Sequence, residues 1–352
     1  MRKFILAAAL GLVAAPAAPL AGQVRLNGAG ATFPNIIYQT WILTYNQKFD
    51  NVEINYQSIG SGGGIRQFSD KTVDFGGTDA PMTDSAITAI QGNVLHIPTV
   101  LGAVVATYNI PGLSAAVKFT PDVLADIYLG KITKWNDARI ASVNQGVTLP
   151  AQDIIVVHRS DGSGTSFIWT DYLSKISPEW GQKVGKGTSV NWPVGLGGRG
   201  NEGVSATVKQ TPGAIGYTEL GYALINKIPF GQVQNKAGSF ITPSLESVTS
   251  AAEGAMADMG PSTDFRVSIT NPGGAQAYPI SSFTWLLVRK QYPDAPKARE
   301  LVKFIWWSLT QGQAHAPKLG YAPLPKAMGA WIEARLKTVT ADGKPVWTTA
   351  AR

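Results

Sequence analysis

The sequence predicts an α/β fold built on a parallel sheet, and three stretches carry that expectation. Residues 52–56 (VEINY) alternate as a strand, IGSGGG follows, and a helical pattern begins near Ile65. Residues 153–157 (DIIVV) read as a buried strand, HRSDGSG follows, and Phe167, Ile168, Tyr172 and Leu173 then recur at helical spacing. A third short strand, VDFGG, runs into Asp79. Strands that alternate with helices are laid side by side in parallel, because each helix carries the chain back across the sheet.

The elements follow in chain order. Residues 1–23 (MRKFILAAALGLVAAPAAPLAGQ) hold a basic pair, an apolar stretch from Phe4 to about Val13, then small residues and prolines. That is the form of a secretory signal. Ala15-Pro16-Ala17 fits a cleavage site, and a cut nearer Gln23 fits as well. No later segment reaches the roughly 18 uninterrupted apolar residues of a spanning helix. A mature chain outside the cytoplasm, with no membrane span of its own, is therefore expected. LGAVVATY (101–108) is a further β-like run, and ISSFTWLLVR (280–289) is another. Leu301, Phe304, Ile305 and Leu309 give an amphipathic helix after it, so the late segment is placed back in the first domain. Between about 226 and 272 the chain is rich in Gly, Ser and Pro, and its elements stay open. A length of 352 residues with 44% hydrophobic composition suffices for roughly two domains, each with its own core.

Composition excludes several functions. The absence of cysteine removes a disulfide framework, a thiolate metal site and a lipid-bearing N-terminal cysteine. The net charge of +7 falls to +5 once Arg2 and Lys3 leave, and the basic residues are scattered, which argues against nucleic acid as a partner. A positive balance still concentrates a small anion near the surface. His96, His158 and His315 lie far apart without ligand spacing, so neither a metal nor another cofactor is expected. The ten tryptophans are assigned to packing.

Strand–turn–helix corners rich in glycine and hydroxyl residues bind anions. The first N–H groups of a helix lack intrahelical acceptors, glycine admits close approach, and Ser and Thr add donors. GAGATFP (28–34) departs from the dinucleotide pattern at Phe33, and IGSGGGIR lacks the Lys-Ser/Thr pair of a P-loop. Neither Ser61 nor Ser163 stands in G-x-S-x-G. Asp79, before a helix that starts near Met82, reads first as a helix cap, and a role in a site needs further residues beside it. Arg159 and Asp161 flank the turn, and a carboxylate there orients the guanidinium toward a third group.

These residues resemble the periplasmic phosphate-binding protein of high-affinity phosphate ABC transporters. The matching stretches are GAGATFP (28–34), NYQSIGSGGG (55–64), TVDFGGTDAP (72–81), DIYLGKITKWND (126–137), HRSDGSGTSF (158–167), NWPVGLGGRGNEG (191–203) and TPGAIGY (211–217), in family order. The resemblance implies a two-lobed periplasmic-binding-protein fold of type II, with the ligand cleft between lobes and two hinge crossings near residues 100 and 280. Lobe one would comprise 24–100 plus 280–352, and lobe two 101–279. Phosphate contacts would fall on Thr32, Phe33, Ser61, Asp79, Arg159, Ser163, Gly164 and Thr165. The implied function is capture of inorganic phosphate in the periplasm and delivery to membrane subunits of an ABC transporter, without catalysis.

Physical roles can be attached to that set. Thr32, Ser163 and Thr165 would donate through hydroxyls and N–H groups, Phe33 and Gly164 through backbone alone, and Ser61 through its hydroxyl. Arg159 brings one full positive charge, held by Asp161. Asp79 demands a ligand that carries a proton, which phosphate has near neutral pH and sulfate lacks. Two alternatives stand beside this one: a secreted phosphatase or phosphotransferase with Ser163 as nucleophile, and a receptor for sulfate, molybdate or another oxyanion.

Overall fold

A computed structural model describes residues 23–259 and 263–347. The expected signal segment, residues 1–23, lies outside the described residues except for Gln23. Among the described residues no helix is long and apolar enough to cross a membrane.

The chain opens with three strand–helix units: β1 (Val24–Gly30) and α1 (Asn35–Lys48), β2 (Val52–Ser58) and α2 (Ser61–Ser69), β3 (Phe75–Thr78) and α3 (Asp84–Ala89). It then enters the long β4 (Leu95–Tyr108), followed by β5 (Lys118–Phe119), α4 (Pro121–Tyr128) and α5 (Ala138–Val143). The alternation resumes with β6 (Ile155–Arg159), α6 (Gly164–Ile176), α7 (Pro178–Lys183), β7 (Leu196–Gly198), α8 (Gly200–Gln210), β8 (Ala214–Glu219) and α9 (Leu220–Asn226). The stretch left open by its composition holds β9 (Gln232–Gln234), β10 (Phe240–Ile241) and α10 (Leu245–Glu253). Then β11 (Ser281–Val288) and α11 (Ala295–Leu309) follow.

Eight strands form one sheet in the order β2-β1-β3-β11-β4-β8-β6-β7. β2 is its edge, and its V-E-I-N-Y alternation buries Val52, Ile54 and Tyr56 while Glu53 and Asn55 face water. β4 is buried along all 14 residues, as a central strand must be. Its first part, through Ala103, pairs with β11, and its last part, from Val104, pairs with β8. One strand thus serves both halves of the sheet.

The sheet is mixed, where the alternation alone predicts a parallel one. β1, β2 and β3 are parallel, as are β6, β7 and β8, but β11 runs antiparallel to both β3 and β4, and β8 antiparallel to β4. Crossover helices impose parallel order only on strands close in sequence. β11 arrives from far along the chain and is free of that constraint.

Pro98 sits inside β4, where it has no N–H to donate, and the β4–β11 register shifts there: Trp285 pairs with Pro98 and Thr284 with Val100. That irregularity lies beside Thr284, a residue of the site below. One continuous hydrophobic cluster runs through both halves. Trp41, Trp135, Trp169, Trp180 and Trp285 are fully buried in it, in keeping with their assignment to packing.

Candidate functional site

The carboxyl ends of β1, β2, β3, β6 and β7 meet at one crevice, each running through a short turn into a helix N-terminus. Open α/β sheets bind ligands at such ends. Thr32, Phe33, Ser61, Asp79, Arg159, Ser163 and Thr165 are all at most 3% exposed, and Gly164 is buried beside them.

α2 begins at Ser61, earlier than the apolar periodicity indicates, because Gly62, Gly63 and Gly64 carry no side chains to mark the turn. Gly60 precedes it with φ 87°, a conformation that glycine adopts without penalty. The Gly62 N–H crosses to the Gly162 carbonyl at 2.9 Å, so the β2 and β6 corners touch. Ser163 caps α6: its Oγ accepts the Ser166 N–H at 3.0 Å. Its own N–H donates to the Thr188 carbonyl at 2.8 Å. This corrects the expectation of a backbone donor at Ser163, which retains only its hydroxyl hydrogen. Gly164 and Thr165 are the first two residues of α6, so their N–H groups have no intrahelical acceptor. Phe33 packs its ring in the core against Tyr321 and can offer the crevice only backbone.

Arg159 enters from the end of β6. Its Nε donates to Asp161 Oδ1 at 2.8 Å, a second guanidinium nitrogen donates to Oδ2 at 2.5 Å, and the third reaches Thr165 Oγ1 at 3.3 Å. The planar fork is thereby fixed at two points. Behind it, Tyr217 accepts the Arg159 N–H at 3.0 Å and stacks on Trp169. Burial alone raises the Asp161 carboxyl, but the Arg159 hydrogen bonds and charge, with the Gly200 N–H, outweigh it and hold Asp161 below its usual range. Asp161 therefore stays ionised.

Asp79 is not a helix cap. Thr83 caps α3, its side chain accepting the Ala86 N–H at 3.2 Å. The Asp79 carboxyl instead accepts from Thr284 Oγ1 at 2.7 Å and from Ser61 Oγ at 3.3 Å. Burial pushes it up to about 7, against the Thr284 hydrogen bond, the Arg159 charge and the Ser61 hydrogen bond, each of which lowers it. A carboxyl that titrates near neutrality thus faces a ring of donors. Among the described residues no cluster of metal-ligating side chains occurs.

Sequence reasoning missed three residues. Asn201, fully buried at the start of α8, sends Nδ2 to Thr32 Oγ1 at 2.7 Å and to Thr165 Oγ1 at 3.1 Å. Tyr222 donates to the Thr32 carbonyl at 2.7 Å. Thr284 reaches Asp79 across 205 residues of chain. Only Asn201 had a local signal, the glycine-rich GGRGNEG turn between β7 and α8.

The approach of the two halves makes Gly164 a testable position. A Cβ there would lie 2.4 Å from Ser61 Oγ and 2.5 Å from Asp79 Oδ2. Gly164→Ala should weaken binding of the crevice's ligand roughly ten- to hundredfold, since relieving such overpacking costs about 1–3 kcal/mol. Calorimetry checks this, and unchanged affinity would show that closure is looser than the geometry requires.

A family model described as a PBP superfamily domain matches residues 14–310. The chain is 47% identical over 320 residues to the phosphate-binding protein PstS of Xylella fastidiosa, covering 91% of this chain and 86% of that one. It is 44% identical over 325 residues to the PstS of Pasteurella multocida, covering 92% and 93%. In structure it resembles a phosphate-binding protein from Stenotrophomonas maltophilia, with TM-score 0.67, 19% identity and coverage of 92% and 97%, a likeness of fold. The chain belongs to the PstS family of phosphate-binding proteins within the PBP superfamily.

Proposed function

We propose that this protein binds inorganic phosphate in the crevice between the two halves of its sheet and delivers it in the periplasm to the membrane subunits of an ABC transporter. Thr32, Phe33, Ser61, Asp79, Arg159, Ser163, Gly164 and Thr165 form the binding set, with Asp161 holding Arg159. The observation that carries this is Asp79, a buried carboxyl among donors, which suits an oxyanion that brings its own proton. The lobes are 24–100 plus 280–352 and 101–279. The exchange of β4 partners between Ala103 and Val104, and the start of β11 at Ser281, support crossings at those places. The basic and apolar character of residues 1–23 supports export.

The protein acts by binding and not by catalysis. Ser163, the nucleophile a phosphatase would need, spends its oxygen on capping α6, and His158 points its Nδ1 to the Arg159 carbonyl with its ring stacked on Trp192. Calorimetry of the mature protein tests the whole proposal: phosphate and arsenate should bind and sulfate should not. Absence of phosphate binding would overturn it. Small-angle scattering should show a smaller radius of gyration with phosphate than without, if an open form precedes this closed one. Identical open profiles at saturating phosphate would contradict hinge closure.

A further inference from the structure

We propose that Asn201 is a positioning residue that turns the hydroxyl hydrogens of Thr32 and Thr165 toward the bound oxyanion, and so sets two of its donors from outside the binding set. This rests on the phosphate site proposed above. The support is a complete account of hydrogen-bond capacity. A threonine hydroxyl has two acceptor lone pairs and one hydrogen. Thr32 Oγ1 accepts twice from Asn201, from Nδ2 at 2.7 Å and from the backbone N–H at 3.3 Å. Thr165 Oγ1 also accepts twice, from Asn201 Nδ2 at 3.1 Å and from the Arg159 guanidinium at 3.3 Å. Both oxygens are filled. Each hydroxyl hydrogen then has to seek an acceptor elsewhere, and a bound oxyanion supplies one.

The Asn201 amide is used up by the same account. Its two Nδ2 hydrogens go to the two threonines, and its Oδ1 accepts the Glu219 N–H at 3.0 Å. A backbone N–H can pair only with the oxygen, so a flipped amide would set NH₂ against the Glu219 N–H and lose that bond, which fixes Nδ2 on the threonine side. Thr32 follows β1 and Thr165 follows β6, so Asn201 joins the two halves of the sheet. The Thr32 hydroxyl is therefore oriented only when the crevice closes. Closure completes the donor set as well as excluding water.

The test is a cycle of phosphate affinities by calorimetry on wild type, Asn201→Ala, Thr32→Val/Thr165→Val, and the triple variant. Asn201→Ala should weaken phosphate binding about tenfold in the wild-type background, the scale of freely rotating hydroxyl donors, and less than twofold where both hydroxyls are absent. An equal loss in both backgrounds overturns the proposal, because a merely structural asparagine would act whether or not the hydroxyls exist. Asn201→Asp guards against misfolding, since it keeps the size and the acceptor for Glu219. Its second carboxylate oxygen would draw both hydroxyl hydrogens away from the ligand and add a negative charge, so it should lose more affinity than alanine, about a hundredfold. An aspartate variant that binds as tightly as wild type likewise overturns it. Wild type failing to bind phosphate would instead remove the site proposal itself, so the two failures are distinguishable.

Discussion

Arg159→Ala should lower phosphate affinity by about 2–5 kcal/mol, the loss typical of truncating one member of a buried, hydrogen-bonded charge pair. Three effects add in that number. The anion loses the Arg159 guanidinium, Thr165 Oγ1 loses a donor at 3.3 Å, and Asp161 is left as a carboxylate without its cation. That last effect can be separated from the others. Asp161→Asn in the alanine background removes the stranded charge and should recover part of the loss, whereas Asp161→Asn alone should weaken binding by less than Arg159→Ala. Arg159→Lys should retain the charge but not the two-point hold on Asp161, so it should fall between wild type and alanine. Titration calorimetry on the four variants decides this, and a dissociation constant unaltered in Arg159→Ala would remove Arg159 from the binding set.

Some of this site could be read along the chain because its chemistry is local. The β2 and β6 corners announce themselves through glycine and hydroxyl residues placed between a strand and a helix, and Arg159 with Asp161 lies within one such turn. The β7 corner is rich in glycine but holds no hydroxyl residue, and Asn201 was missed. Its strand spans only three residues, Leu196–Gly198, too few for any apolar period to show. Thr284 had no signal at all. Its contact with Asp79 depends on β11 inserting antiparallel between β3 and β4, which nothing near position 284 encodes. The same holds for Tyr222, whose hydroxyl meets the Thr32 carbonyl from the far half of the sheet. Asp79 is the intermediate case. A carboxylate before a helix is most simply a cap, and only the position of Thr83 at the start of α3 frees it for another role.

Asp79→Asn should reduce the preference for phosphate over sulfate by a factor of ten or more. In wild type a fully deprotonated anion would face a buried carboxylate with no proton between them, a mismatch of the kind worth about 10⁴ to 10⁵ in discrimination. Asparagine keeps the size, removes the charge, and can present either its oxygen to a phosphate hydroxyl or its NH₂ to a sulfate oxygen. Phosphate affinity should then change little beside the gain for sulfate, at roughly 1.4 kcal/mol per tenfold. The raised carboxyl adds a pH signature. Burial lifts Asp79 to about 7, so its folded form binds a proton more readily than its unfolded form. The resulting stabilisation of the ligand-free closed protein is fully present below the usual carboxyl range near 4 and is lost as pH rises through about 7. Asparagine should accordingly raise the melting temperature of ligand-free protein more at pH 8 than at pH 5. Below pH 7 the protonated wild-type carboxyl can itself donate to sulfate, so sulfate competition should strengthen from pH 8 to pH 5.5 in wild type and stay flat in Asp79→Asn. Competition calorimetry with both anions at one ionic strength measures each quantity. An unchanged preference together with a flat sulfate profile in wild type would show that Asp79 takes no part in selecting the ligand.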